Sequence, residues 1–196
     1  YVFSPNPPYI DVENPVGTYR RWFTVPDGWK DREIMLHFGS ISGYARIYVN
    51  GKQVGMTKAS KTPAEFNVTR YLKSGENLLA VQVYRWHDGS YMEDQDFWRL
   101  SGIERDVFLQ AYPKLSIWDF FLKPDLDGKY QNGLFSGTVD IRAFDGNSID
   151  KGRFTLELFD KDGKKVLSCS KPFSVNDKYT TLSFEGKIRS IYMIVR

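Results

Sequence analysis

An all-β protein made of two consecutive sandwiches is what this 196-residue sequence predicts, and three observations predict it. Apolar and polar residues alternate with a period of two along most of the chain, while hardly any segment sustains a 3.6-residue period. Polar turns recur at short intervals, as successive β-strands require. The alternation also restarts around Tyr112 and Pro113, and a chain of this length can supply two small cores. The boundaries expected are therefore 1–112 for the first domain and 113–196 for the second.

Taken in order, "GTYRRWFTV" (17–25), "REIMLHFGS" (32–40), "YARIYVNG" (44–51), "LLAVQVYRW" (78–86) and "RDVFLQAYP" (105–113) read as strands. The clearest hairpin is "YVNGKQVG", because Asn50 and Gly51 both accept the positive φ of a type I′ turn. One short helical hint interrupts them: in "VTRYLKSGEN" Thr69 is placed to cap a single turn and Gly75 to end it. After Pro113, "KLSIWDFFLKPDL", "LFSGTVDIRAF", "GRFTLELFD", "VLSCSKPFSV", "YTTLSFEG" and "KIRSIYMIVR" follow as strands, with Asp162-Gly163 turning one hairpin. The second sandwich is immunoglobulin-like in size. It lacks the Cys…Trp…Cys pattern of antibody domains, so the likeness is one of architecture.

Composition narrows the function. The net charge of +3 comes from 27 basic and 24 acidic residues, spread without a run of like charge that could track phosphates, which argues against nucleic acid. No stretch approaches the ~18 uninterrupted apolar residues of a bilayer span, so no membrane is expected. The single cysteine, Cys169, cannot close an internal disulfide and is expected as a buried strand residue; a cysteine-based metal site is excluded. The aromatic content of 16% suits either a recognition surface or an all-β core. Because the chain opens on Tyr1, it reads as an excerpt of something longer.

The stretch that points to chemistry is "WHDGSYMEDQDFWRLSGIERDV", residues 86–107. It crowds the acids Asp88, Glu93, Asp94 and Asp96 among the aromatics Trp86, Tyr91, Phe97 and Trp98. A buried strand would exclude that much charge, and a solvated loop has no use for two tryptophans. A pyranose needs both surfaces: carboxylates accept from its hydroxyls, and aromatic rings stack on its apolar C–H faces. Other readings fare worse. Counted as a calcium loop from Asp94, the sixth position is Arg99 where glycine belongs and the twelfth is Arg105 where glutamate belongs. A magnesium or monovalent-cation site stays open. Glu93 and Asp96 could lie close, yet loop neighbours approach a substrate from one side, whereas a glycosidase's two carboxyls flank the scissile bond. The only histidines are His37, in a strand pattern, and His87, and no serine stands in a G-x-S-x-G turn. A purely structural reading also stands: Trp86 and Trp98 as core or interface residues, with Arg99, Arg105 and Asp106 in ion pairs that hold the loop.

These residues, with "ENPVGTYRRWFTVPDGW", "VNGKQVG" and "PAEFNVTRYLKSGENLLAVQVYRW", closely resemble the N-terminal sugar-binding domain of glycoside hydrolase family 2 β-galactosidases. The resemblance covers 1–112, and 113–196 resembles the immunoglobulin-like domain that follows. It implies a jelly-roll, galactose-binding-domain-like sandwich that packs beside a catalytic (β/α)₈ barrel and contributes one edge of its galactose pocket. It further implies a parent enzyme that hydrolyses terminal β-D-galactosides with retention and is homo-oligomeric. The catalytic glutamates belong to the barrel, so no catalytic residue is assigned to this chain, which alone should be inactive. By the same resemblance Asp96 reaches galactose and a monovalent cation, Na⁺, whose site the barrel completes; Asp88, His87, Glu93 and Trp98 are its supporting neighbours. A galactose-binding asparagine of the family would precede Tyr1. In some members the counterpart of Asp88 holds Mg²⁺ with a glutamine, but Lys58 occupies the matching position here, and a charged lysine cannot ligate. His87 replaces a commoner serine, Glu104 stands where an aromatic residue is frequent, and the tail "KIRSIYMIVR" lacks the family's next motif, which suggests truncation or a disturbed terminus. Two rivals are a free-standing carbohydrate-binding module or lectin, and a scaffold whose acidic loop only docks other domains. Either a cytoplasmic or a periplasmic location is compatible with the sequence.

Overall fold

The computed structural model describes residues 6–93, 98–144, 146 and 148–189, and among them there are strands and short 3-10 turns but no α-helix. The chain divides into two compact units, residues 1–112 and 113–196. In the first, the strands are β1 (Val16–Thr24), β2 (Glu33–Phe38), β3 (Ile41–Ser42), β4 (Tyr44–Val49), β5 (Lys52–Thr57), β6 (Ala64–Asn67), β7 (Glu76–Tyr84), β8 (Gly102–Ile103) and β9 (Val107–Tyr112). One sheet runs β1-β7-β4-β5, a second runs β6-β2-β9, and β3 pairs with β8. Every pairing is antiparallel.

The two sheets close over one core because their inward positions are apolar at every second residue. Ala45, Ile47 and Val49 from β4, Val81 and Val83 from β7, and Ile34, Leu36 and Phe38 from β2 form a single cluster completed by Ile41 and Val68. This is the jelly-roll sandwich. The hairpin between β4 and β5 is the two-residue kind: Val49 faces Lys52, with Asn50 at φ 51° and Gly51 at φ 80°. Asn50 does more than turn the chain. Its Nδ2 donates to Tyr71 O and to Asn77 Oδ1, and its Oδ1 accepts from Leu78 N.

The helical hint is real but built differently. A 3-10 turn spans Thr69–Tyr71, with Val68 at its N-cap and Leu72 at its C-cap. Thr69 does not cap it: the hydroxyl accepts from Ile34 N at 2.8 Å and donates to Glu33 Oε2 at 3.0 Å. Gly75, at φ 79°, lies beyond Leu72 in the approach to β7. The physical reason is Glu33, a carboxylate only 1% exposed, whose need for donors outweighs a local cap. Asn67 Nδ2 supplies another at 2.7 Å.

The second unit comprises β10 (Leu115–Leu126), β11 (Gly133–Ala143), β12 (Ile149–Phe159), β13 (Lys165–Val175) and β14 (Tyr179–Ile188). Its sheets are β10-β11-β14 and β12-β13, an immunoglobulin-like sandwich over Val139, Ile141, Ala143, Phe154, Val175 and Phe184. Cys169 packs against that cluster but is half-buried, because it sits on a two-stranded sheet that covers its neighbours incompletely. Gly163 takes φ 79° in the turn from β12 to β13, yet the organising residue there is Asp160, whose Oδ1 accepts from Asp162 N and Lys164 N.

Candidate functional site

Between β7 and β8 the first unit carries the acid- and aromatic-rich segment. Its start is pinned from outside: Asn14 Nδ2 donates to Trp86 O at 2.8 Å, and Trp86 N donates back to Asn14 Oδ1 at 2.9 Å. The half-buried indole of Trp86 lies under Arg85, whose guanidinium stands 4.7 Å from the ring. A 3-10 turn, Asp88–Tyr91, follows. His87 caps it reciprocally, its Nδ1 accepting from Gly89 N while Ser90 Oγ accepts from His87 N. The imidazole thus does the capping work that a serine would do. Tyr91 extends the turn, donating its hydroxyl to Tyr9 O.

Three of the expected supporting residues come together here. His87 Nδ1 stands 3.5 Å from Asp88 Oδ1, and His87 Nε2 stands 3.3 Å from Glu93 Oε2. With Nδ1 accepting, the neutral ring carries its proton on Nε2. That nitrogen is buried and makes no hydrogen bond among the described residues. Asp88 turns outward instead: its Oδ2 accepts from Lys58 Nζ at 2.7 Å. The Lys58 hydrogen bond holds the Asp88 carboxyl below its ordinary value, against the upward push of partial desolvation.

Lys58 belongs to a turn, residues 58–61, whose Ser60 and Lys61 the sequence did not single out. From the same turn, Ser60 N donates to Glu93 Oε1 at 3.2 Å, Lys61 Nζ donates to Glu104 Oε1 at 2.5 Å, and Ser60 Oγ accepts from Gly43 N. Gly43, which holds the turn from the other side, itself runs close against the end of β7. It holds φ 103°, and a Cβ there would sit 2.4 Å from Tyr84 O. Burial pushes Glu104 up, but hydrogen bonds from Lys61 and Ser40 outweigh it and keep the carboxyl below its ordinary value. Glu104 therefore stands as the partner of Lys61. The signals available beforehand were the family resemblance, which sets Lys58 opposite Asp88, and the pair of lysines three apart in "KASK".

Asp96, the expected galactose contact, lies outside the described residues, as do Asp94 and Phe97. Just after them Trp98 is 83% exposed, which removes it from the core of the first unit and corrects the core reading of that ring. His37 lies in β2, pairs with Glu65 at 2.8 Å and stacks on Phe108. Among the described residues no group of three or more His, Cys, Asp or Glu is placed to hold a metal. Magnesium does not fit at Asp88: the Lys58 ammonium already sits on that carboxylate, so a divalent ion would meet a fixed like charge.

Fold and rim together define an all-β, two-sandwich module whose first unit presents tethered acids and an exposed indole. Residues 1–113 match the family described as "Glycosyl hydrolases family 2, sugar binding domain", and the chain belongs to that family. It is similar to the "Beta-galactosidase" of Priestia megaterium, 40% identical over 187 residues, which cover 94% of this chain and 18% of that protein. It is likewise similar to the "Beta-galactosidase" of Vibrio cholerae, 46% identical over 132 residues, 67% of this chain and 13% of the relative. The chain thus spans less than a fifth of the length of these relatives. In fold it is similar to the crystal structure of a Bacteroides uniformis β-glucuronidase, with a TM-score of 0.79 at 24% identity over 94% of this chain and 23% of that one. No helix among the described residues is long and apolar enough to cross a membrane.

Proposed function

We propose that this chain forms the sugar-recognising end of a retaining β-galactosidase and supplies one edge of the galactose pocket, while a catalytic barrel in the same protein breaks the bond. In this reading Asp96 accepts from galactose hydroxyls and stands beside a monovalent cation, Na⁺. Asp88, His87 and Glu93 hold the base of the segment, and Trp98 offers a ring to the apolar face of the sugar. What supports the reading is that one segment of sequence carries both tethered acids, Asp88 and Glu93, and an indole, Trp98, that is 83% exposed. Relatives at 40% and 46% identity that are named β-galactosidases support galactoside as the sugar class. The chain binds and orients. The two carboxylates of retaining hydrolysis come from the barrel, and the parent assembles as a homo-oligomer.

Two measurements test this. Asp96→Ala in the complete enzyme removes a charged acceptor, worth about 1.5–3 kcal/mol, and should lower kcat/KM for a β-galactoside by about 10- to 100-fold. Unchanged kinetics would remove Asp96 from the pocket. Galactose titrated into residues 1–196 alone should give no saturable signal at millimolar concentration, since a half-site lacks its other wall. Millimolar or tighter binding by the isolated chain would favour the lectin reading instead.

A further inference from the structure

Residues 58–61 touch the recognition segment at three separated points. Lys58 reaches Asp88 at 2.7 Å, the Ser60 amide reaches Glu93 at 3.2 Å, and Lys61 reaches Glu104 at 2.5 Å. In sequence these anchors fall on both sides of residues 94–97, with Asp88 and Glu93 before and Glu104 after. The turn meets these three acids with two ammonium groups and one backbone N–H. Its own position is set by the Gly43 N–H that donates to Ser60 Oγ, so the donors do not drift with the acids they hold.

The two lysines differ in setting. Lys61 and Glu104 are about one-quarter exposed, whereas Lys58 and Asp88 are about half exposed. The first pair anchors; the second faces solvent, where a dissolved cation could compete for the carboxylate. We propose that Lys58 is the resident cation of this rim: its ammonium takes the place on Asp88 that a divalent ion would need, and with Ser60 and Lys61 it positions the acidic segment without any metal. Lys58 is a positioning residue, acting through Asp88, while the Ser60 amide of the same turn holds Glu93. The proposal concerns the sugar-facing segment of the function proposed above, but its test involves no sugar, so either can fail without the other.

Amide resonances of the ¹⁵N-labelled 196-residue chain supply the readout. Gly89 N–H reports on Asp88 and His87, because it donates to both, and Ser60 N–H reports on Glu93. In the wild-type chain, millimolar MgCl₂ or EDTA should leave both amides in place. Lys58→Gln removes the charge and should displace both, while the core amides of Val81 and Val83 stay where they were and show that the sandwich is intact. Lys58→Arg keeps the charge and should hold the wild-type positions. A saturable Mg²⁺ shift at Gly89 in the wild-type chain overturns the proposal. So does a Lys58→Gln chain in which Gly89 and Ser60 do not move.

Discussion

Two polar networks in the first unit hold loops, and they do it with opposite chemistry. Beneath the β4–β5 hairpin, Asn50 and Asn77 bond to each other and to the backbone of residues 71–78; Asn77 is fully buried, and all of its polar atoms are used. At the rim, Lys58–Asp88 and Lys61–Glu104 do the corresponding work with full charges in partial contact with water. The difference follows from dielectric. An amide can be buried when each donor and acceptor is paired, while an ion pair in the same place would bear a desolvation cost exceeding its attraction. Exposed pairs escape that cost but return little stability, because water and salt screen them. The buried network therefore serves the fold, and the rim network serves the geometry of a surface.

The largest effect should come from the buried side. Asn77→Ala removes the acceptor of Asn50 Nδ2 and of Lys73 N, together with the donors to Lys73 O and Gly75 O. Each buried group left unpaired costs about 1–3 kcal/mol, so a loss of about 3 kcal/mol or more is expected. Urea unfolding followed by the amides of β4 and β7 measures it. A change below about 1 kcal/mol would mean that water enters and replaces the amide, and the contrast between the networks would vanish.

A smaller effect is expected from Lys61→Met. The pair with Glu104 is only about one-quarter exposed, so the loss should sit near the top of the surface range, about 1 kcal/mol. The double variant Lys61→Met with Glu104→Gln should recover part of it, since no charge is then left unmatched. Recovery of nothing would assign the whole effect to the packing of the lysine stem.

How far these networks could be read beforehand depends on the range of their contacts. The Asn50-Gly51 turn is local: two adjacent residues that tolerate positive φ announce it, and the structure has it. The inward faces of β2, β4 and β7 announce themselves by alternation. Strands of two to four residues, such as β3, β6 and β8, are too short to show a period. Thr69 misled because its hydroxyl answers to Glu33, 36 residues away, and nothing in the local sequence records such a demand. The site divides in the same way. The crowding of acids and aromatics in 86–107 is visible in one line of sequence, and resemblance alone sets Lys58, 30 residues away, opposite Asp88; the contacts of Ser60 with Glu93 and of Lys61 with Glu104 span 33 and 43 residues, and only the fold joins them.

The smallest effect is also the most specific to the rim. The Asp88 carboxyl lies below its reference value of 3.8, first because Lys58 donates to it and further because the Gly89 amide does. A carboxyl with a depressed folded value lends stability that is fully present above its unfolded value and is lost as pH falls through the folded one. The tie between Lys58 and Asp88 should therefore be complete at neutral pH, and should release only at pH values under 3.8. Since both side chains are about half exposed, the release should hardly change global stability, but it should move the Gly89 amide. In Lys58→Gln that titration should shift to higher pH, though not entirely to the reference, because the Gly89 N–H still favours the charged carboxylate. High salt should shift the wild-type curve in the same direction by screening the pair. If the Gly89 curve has the same midpoint in both chains, the lysine is only a neighbour of Asp88, and the rim owes its geometry to the 3-10 turn alone.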